Sequence, residues 1–192
     1  MRFRFRVMVL LLPLAGAFAA CDDPNTFRLD PVIVTDTVEL AAPTASGSAL
    51  PTAVDIFTLP RSGAPIGGGR FPERVDEADA WDLALRARGD SLVLVPRGAV
   101  GFESFAAITR PITDRDFDAV EEAPGSSSFV SDSAVVLQEG AVYVARSRRV
   151  QNTCSEYAKI QPLEVNVEAQ TARLQVATSS AFCGDPRLVE ED

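Results

Sequence analysis

The sequence predicts an all-β domain, and three observations carry that prediction. Short apolar runs with period-two alternation recur between residues 32 and 176, bounded by Gly, Pro, Ser or Asp. Two pairs of such runs, at 81–96 and 134–148, are separated by turn residues and read as β-hairpins. Beyond the first 20 residues no segment repeats apolar side chains at i, i+3, i+4 spacing. The expected architecture is an antiparallel hairpin or meander β-sandwich, or a twisted-sheet domain, spanning 32–186 behind an N-terminal signal segment.

Residues 1–20 have the layout of a secretory signal. Arg2, Arg4 and Arg6 precede the apolar run that begins at Val7, and small residues lead to Cys21. The run is shorter than the ~20 residues that a membrane-spanning helix needs. Phe18-Ala19-Ala20-Cys21 resembles a bacterial lipobox, with Phe18 where leucine is more usual. Cys21 is therefore the expected lipidation site, and the chain is expected as an exported envelope lipoprotein on an outer-membrane or periplasmic face. Cleavage without lipidation is the alternative. Residues 21–31, polar and proline-punctuated, read as a tether.

The domain then follows in order. Residues 32–40 alternate in part, with Val32, Val34 and Val38 on one parity. Residues 41–51 form a small-residue turn, and 54–59 a second short strand. The glycine-rich stretch 61–72 lacks the G-K-[ST] ending of a phosphate-binding loop and reads as a surface loop. In the first hairpin Trp81, Leu83 and Leu85 share a face opposite Asp82, Ala84 and Arg86. Arg88-Gly89-Asp90 is its turn, and the triplet needs no adhesion role to explain it. Residues 99–110 are expected to be extended. Asp114, Asp116 and Asp118 start like a calcium loop, but Ala119 and Gly125 stand where glycine and glutamate are required, so a solvated edge or turn is expected. In the second hairpin Val142 and Val144 face one way, Tyr143 and Ala145 the other. Along 157–168 the parity switches from Ala158 and Ile160 to Leu163, Val165 and Val167, which predicts a bulge at Pro162. A last strand holds Leu174 and Val176, and 187–192 form an acidic tail expected to be loose.

Composition excludes several chemistries. Of 18 basic residues three leave with the signal, so 15 face 27 acids, a net charge of −12. Such a chain repels nucleic acid and anionic lipid headgroups, so membrane attachment is expected to come from the lipid rather than from a basic patch. Histidine is absent, and both methionines, Met1 and Met8, lie in the signal. The commonest general base and the commonest metal ligands are therefore missing, and no Ser-His-Asp or Cys-His site can form. No G-x-S-x-G or S-x-x-K motif occurs, and Lys159 is the only lysine. The chain is read as non-catalytic and without a metal. Cys154 and Cys183, in an oxidising compartment, are expected to pair as a disulfide closing a loop of about 30 residues.

Trp81-Asp82-Leu83-Ala84-Leu85-Arg86, Phe117-Asp118-Ala119-Val120, Gly140-Ala141-Val142-Tyr143-Val144-Ala145-Arg146 and Tyr157-Ala158-Lys159-Ile160 together resemble the HmuY-like family of envelope lipoproteins over about residues 70–178. The resemblance implies twisted β-sheets, surface tethering and, in founding members, haem capture. Haem-binding members use histidine or methionine ligands, which residues 21–192 lack. Tyr143 and Tyr157 are the only tyrosines, and tyrosine can ligate haem iron, so haem stays open through them alone; otherwise no cofactor is expected. The candidate ligand-binding residues are Tyr143, Arg146, Arg148, Tyr157 and Lys159, with the loops 61–80, 97–112 and 146–156 as contact surface. The partner is the membrane through Cys21, together with a small ligand or, alternatively, another envelope protein.

Overall fold

A computed structural model describes residues 31, 33–45, 48–56, 72–73, 81–149, 155–179 and 184–189. They form two antiparallel sheets with no α-helix among them. The first sheet contains β1 (Ile33–Ala41), β6 (Ala107–Thr109), β7 (Phe129–Val130), β9 (Tyr143–Arg146), β10 (Tyr157–Asn166) and β11 (Thr171–Ser179), in the order β1-β11-β10-β9-β6-β7. The second contains β2 (Ala53–Val54), β3 (Pro72–Glu73), β4 (Leu83–Arg88), β5 (Ser91–Pro96) and β8 (Val135–Val136), in the order β3-β2-β4-β5-β8. The expected all-β class is what is found.

Alternation explains the packing. Val38, Leu40, Tyr143, Ala145, Ala158, Ile160, Leu174 and Val176 of the first sheet meet Leu83, Leu85, Leu92 and Leu94 of the second in one buried core. Each fully buried aliphatic side chain contributes ~1.5–3 kcal/mol. The opposite face of the first sheet carries Val142, Val144 and Ala177. It is covered by Phe117 and Val120 of the acidic loop and by Leu188. The aspartates Asp114, Asp116 and Asp118 of that loop are exposed and Phe117 is buried, as period two expects of a turn.

The β4–β5 hairpin turns at Gly89 and Asp90, with Arg88 opposite Ser91. Gly89 has φ +57°, a conformation glycine adopts without strain. The register between β10 and β11 shifts between Pro162 and Glu164, so the predicted bulge is present.

Five expectations are corrected. Residues 134–148 are not a hairpin: β8 pairs with β5 in one sheet, and β9 pairs with β10 and β6 in the other. The Gln138–Gly140 turn therefore crosses between sheets. Tyr143 ties the crossing down, its hydroxyl donating to the Val136 carbonyl (2.9 Å) and accepting from the Gln138 N–H (2.8 Å). Trp81 does not share a face with Leu83 and Leu85. The chain bends at Asp82, before β4 begins, and Trp81 packs against Ala53 and Ala84. Residues 99–110 are only partly extended, since a 3-10 turn runs from Arg97 to Val100 before β6. The tail is not wholly free. Leu188 is 1% exposed, its N–H bonded to the Glu121 carbonyl, because an apolar side chain there fills the space beneath the acidic loop. The second strand is also shorter than expected, Ala53–Val54, and 57–59 lie outside the described residues.

Candidate functional site

Strand register brings several chain segments to one end of the sandwich. Ile33, at the start of β1, lies opposite Ser179 at the end of β11. Ala158 lies opposite Thr178, Tyr157 opposite Arg146, and Arg146 opposite Ala107. In the other sheet Leu83 lies opposite Pro96, where β5 runs into the 3-10 turn. The connections after β5 and after β9, and the entry into β4, therefore share this end.

The two sheets are joined here by a buried charge cluster. Asp82 is fully buried. One of its carboxylate oxygens accepts from the Ile56 N–H (2.7 Å) and the other from the Arg148 N–H (2.7 Å) and Arg148 Nη1 (3.2 Å). Arg148 also forks onto Asp55, Nη1 to one oxygen (2.6 Å) and Nη2 to the other (3.0 Å). One guanidinium thus holds two carboxylates, one of them bidentately. Burial pushes the Asp82 carboxyl up to about 7, with Arg148 opposing that rise and Asp55 adding to it. Burial also works against the Arg148 charge, but hydrogen bonds and attraction from Asp55 and Asp82 leave its pKa above the usual value. Asp55 and Asp82 went unrecognised in the sequence because alternation assigns Asp82 to an outward face. The signal available was the Trp81-Asp82 pair, a carboxylate directly before a strand.

Around this cluster guanidinium groups lie on aromatic rings. Arg97 sits 4.5 Å from the Phe102 ring centroid and 5.4 Å from that of Trp81, and those two rings meet edge to face at 6.2 Å. Arg149 lies 3.9 Å from the Phe105 ring. Arg146 lies 5.1 Å from the Phe129 ring, and its Nε donates to the Phe105 carbonyl (3.0 Å).

The candidate residues named from the sequence do not form one site. Arg146 and Tyr157 come together: they are register partners, and the Tyr157 ring meets Phe129 at 6.0 Å. Arg148 is drawn inward by Asp55 and Asp82. Tyr143 lies fully buried between the sheets with its hydroxyl engaged twice, and burial raises its pKa above the ordinary tyrosine value. Lys159 shares with Tyr157 the face of β10 that points away from the core, but it is 3% exposed, its ammonium 4.8 Å from the Phe117 ring. Burial lowers its pKa, while Asp118 and Glu121 of the covering loop counteract that fall. Cys21, Cys154 and Cys183, and residues 61–71, 74–80 and 150–154 of the proposed contact loops, lie outside the described residues.

A cleft of about 290 Å³ opens elsewhere, where Arg110, Val130, Ser133, Val135 and Gln138 converge. It is at the small end of ligand pockets; Arg110 and Pro111 of the expected contact loop 97–112 line it, but none of Tyr143, Arg146, Arg148, Tyr157 and Lys159 does. Among the described residues no cluster of three or more Cys, Asp or Glu could hold a metal ion.

The chain matches no protein-family model, no curated protein and no solved structure.

Proposed function

We propose that this chain is a lipid-anchored bacterial envelope protein whose β-sandwich acts by binding rather than by catalysis. The observation that carries the reading is the arginine–aromatic end of the sandwich. Arg97 on Phe102 and Trp81, and Arg149 on Phe105, present stacked cations and partly exposed rings on a scaffold fixed by the Asp55–Arg148–Asp82 cluster. Aromatic and arginine side chains are the residue types that dominate binding surfaces. The signal-like residues 1–20 and the lipobox-like Phe18-Ala19-Ala20-Cys21 supply the anchor in this reading.

The resemblance to HmuY-like lipoproteins is kept as a proposal about address and mode of action, without haem. The engagement of the Tyr143 hydroxyl by two backbone groups leaves Tyr157 as the less committed tyrosine. Cys154 and Cys183 are proposed to be bridged. The residue after each cysteine supports this, since the Gly184 N–H donates to the Ser155 carbonyl at 3.2 Å.

Fractionation of cells expressing the full chain and its Cys21→Ala variant tests the anchor. The parent is expected in the membrane fraction and the variant in the soluble fraction; a variant that stays with the membrane defeats the reading. Haemin added to the purified protein is expected to leave the Soret band of free haemin unshifted. A saturable shift would restore haem capture.

A further inference from the structure

The surface of the sandwich is not uniform. Six large apolar side chains are exposed among the described residues, and three of them fall within six positions: Val100 (42%), Phe102 (49%) and Phe105 (46%). All three lie on the connection between β5 and β6, at the end of the molecule that also holds Arg97, Arg146 and Arg149. Arg149 is exposed and rests on the Phe105 ring, and Arg146 is fastened to the Phe105 carbonyl. Glu103 is the only acid on this connection. At the opposite end Asp90, Glu139 and Glu168 are exposed, in or beside the turns that close β4–β5, β8–β9 and β10–β11, and Leu163 and Val167 are exposed toward it as well. On 97–106 together with Arg146 and Arg149, three arginines face one acid, a local balance opposite in sign to that of the whole chain.

Chain entry picks out the same end. Register carries Ile33 to Ser179, Thr178 to Ala158, and Tyr157 to Arg146, so β1 begins where the exposed phenylalanines lie. Nine residues separate Cys21 from Pro31, so ten Cα–Cα steps give a reach of at most ~35 Å at full extension. A lipid on Cys21 would hold this end, and not the acidic one, next to the bilayer.

Apolar side chains flanked by arginines are the composition of a surface that lies in the membrane interface. The apolar groups enter the headgroup–acyl boundary, and the cations meet lipid phosphates. We infer that the 97–106 connection with Arg146 and Arg149 seats the domain on an anionic phospholipid surface, Val100, Phe102 and Phe105 entering the interface and the arginines contacting headgroup phosphates. This names the partner of the arginine–aromatic end and rests on the reading of Cys21 as the lipid anchor.

Trp81 is the only tryptophan in the chain and touches Phe102, so its fluorescence reports on this surface. The lipidated full chain is reconstituted in vesicles of phosphatidylcholine and phosphatidylglycerol, with and without shallow-brominated acyl chains. The protein is expected to float with the vesicles, and brominated lipid is expected to quench Trp81. Quenching should fall at least twofold in the Phe102→Ser/Phe105→Ser variant and in vesicles of phosphatidylcholine alone. Both substituted side chains are about half exposed, so the variant is expected to keep the parent's circular dichroism melt, which is recorded alongside. Protein that floats without quenching, or with quenching indifferent to the double substitution, overturns the seating surface and leaves the anchor standing. Protein that does not float overturns the anchor, and the seating inference with it. Phenylalanine-dependent dimers of the Cys21→Ala protein in light scattering, without quenching of the lipidated form, would assign the surface to a second copy of the chain instead.

Discussion

Asp82 makes the protein sensitive to pH in a direction opposite to that of most carboxylates. Its folded pKa is about 7, raised first by burial, against an ordinary value near 3.8. Between these values the folded chain keeps a proton that the unfolded chain has released. Folded molecules therefore bind more protons, and stability falls as pH rises, by at most ~1.4 kcal/mol per pH unit for a single group. The contribution is complete below about pH 4 and gone above about 7. Urea midpoints are expected to decline from pH 5 to pH 8 in the parent and to flatten in Asp82→Asn. A rising midpoint would mean that Arg148 and the two backbone donors keep the carboxylate ionised. Arg148 makes the complementary case. Arg148→Met would leave Asp55 and Asp82 without their cation, and breaking a buried pair in this way costs ~3–5 kcal/mol. A calorimetric melt that is unchanged in Arg148→Met would refute the cluster as the joint between the sheets. From the sequence Arg148 reads as one of three clustered arginines on a strand end. Its two aspartates lie 66 and 93 positions away, and no local pattern reveals a partner at that distance.

At the scale of elements, the legible features are those in which one strand speaks for itself. The Gly89-Asp90 turn, the parity switch at Pro162, and the opposed faces of Val142 and Val144 against Tyr143 and Ala145 all follow from period two and turn chemistry, and all are found. The pairing of β8 and β9 was not legible, because alternation tells which face a residue occupies and not which sheet receives the strand. A short turn such as Gln138-Glu139-Gly140 serves a hairpin and a crossing between sheets alike. The side chain that decides is Tyr143, whose hydroxyl grips the backbone of the crossing at Val136 and Gln138. Tyr143→Phe keeps the ring and removes only that grip, leaving a partly buried carbonyl and an N–H without their partner. The expected loss is ~1–3 kcal/mol in urea unfolding. An unaltered midpoint would show that the crossing holds without the hydroxyl.

Across the whole molecule, the two sheets share one core, and the end at which the Asp55–Arg148–Asp82 cluster joins them also receives β1. The sequence discloses the alternation that builds the core and the terminal segment that would anchor it. It does not disclose which segments share an end, because Phe102, Arg149 and Ile33 are brought to the same end only through the register of β1, β11, β10 and β9. The proposed Cys154–Cys183 bridge belongs to the same end, since the Ser155 carbonyl and the Gly184 N–H already join the two chain segments there. A bridge closing about 30 residues restricts the unfolded chain by ~3.6 kcal/mol in the chain-entropy account. For a domain of this size each kcal/mol moves the melting temperature by ~2–4 °C, so its loss should lower Tm by about 10 °C. Reductant, Cys154→Ser and Cys183→Ser are each expected to produce that drop, and the double substitution no more than either single one, because all four remove the same bond. Differential scanning calorimetry with and without reductant measures it. A Tm indifferent to reductant, together with two thiols titrating in the unfolded, unreduced protein, would show that the cysteines are free and that the backbone contact between Ser155 and Gly184 joins the segments unaided.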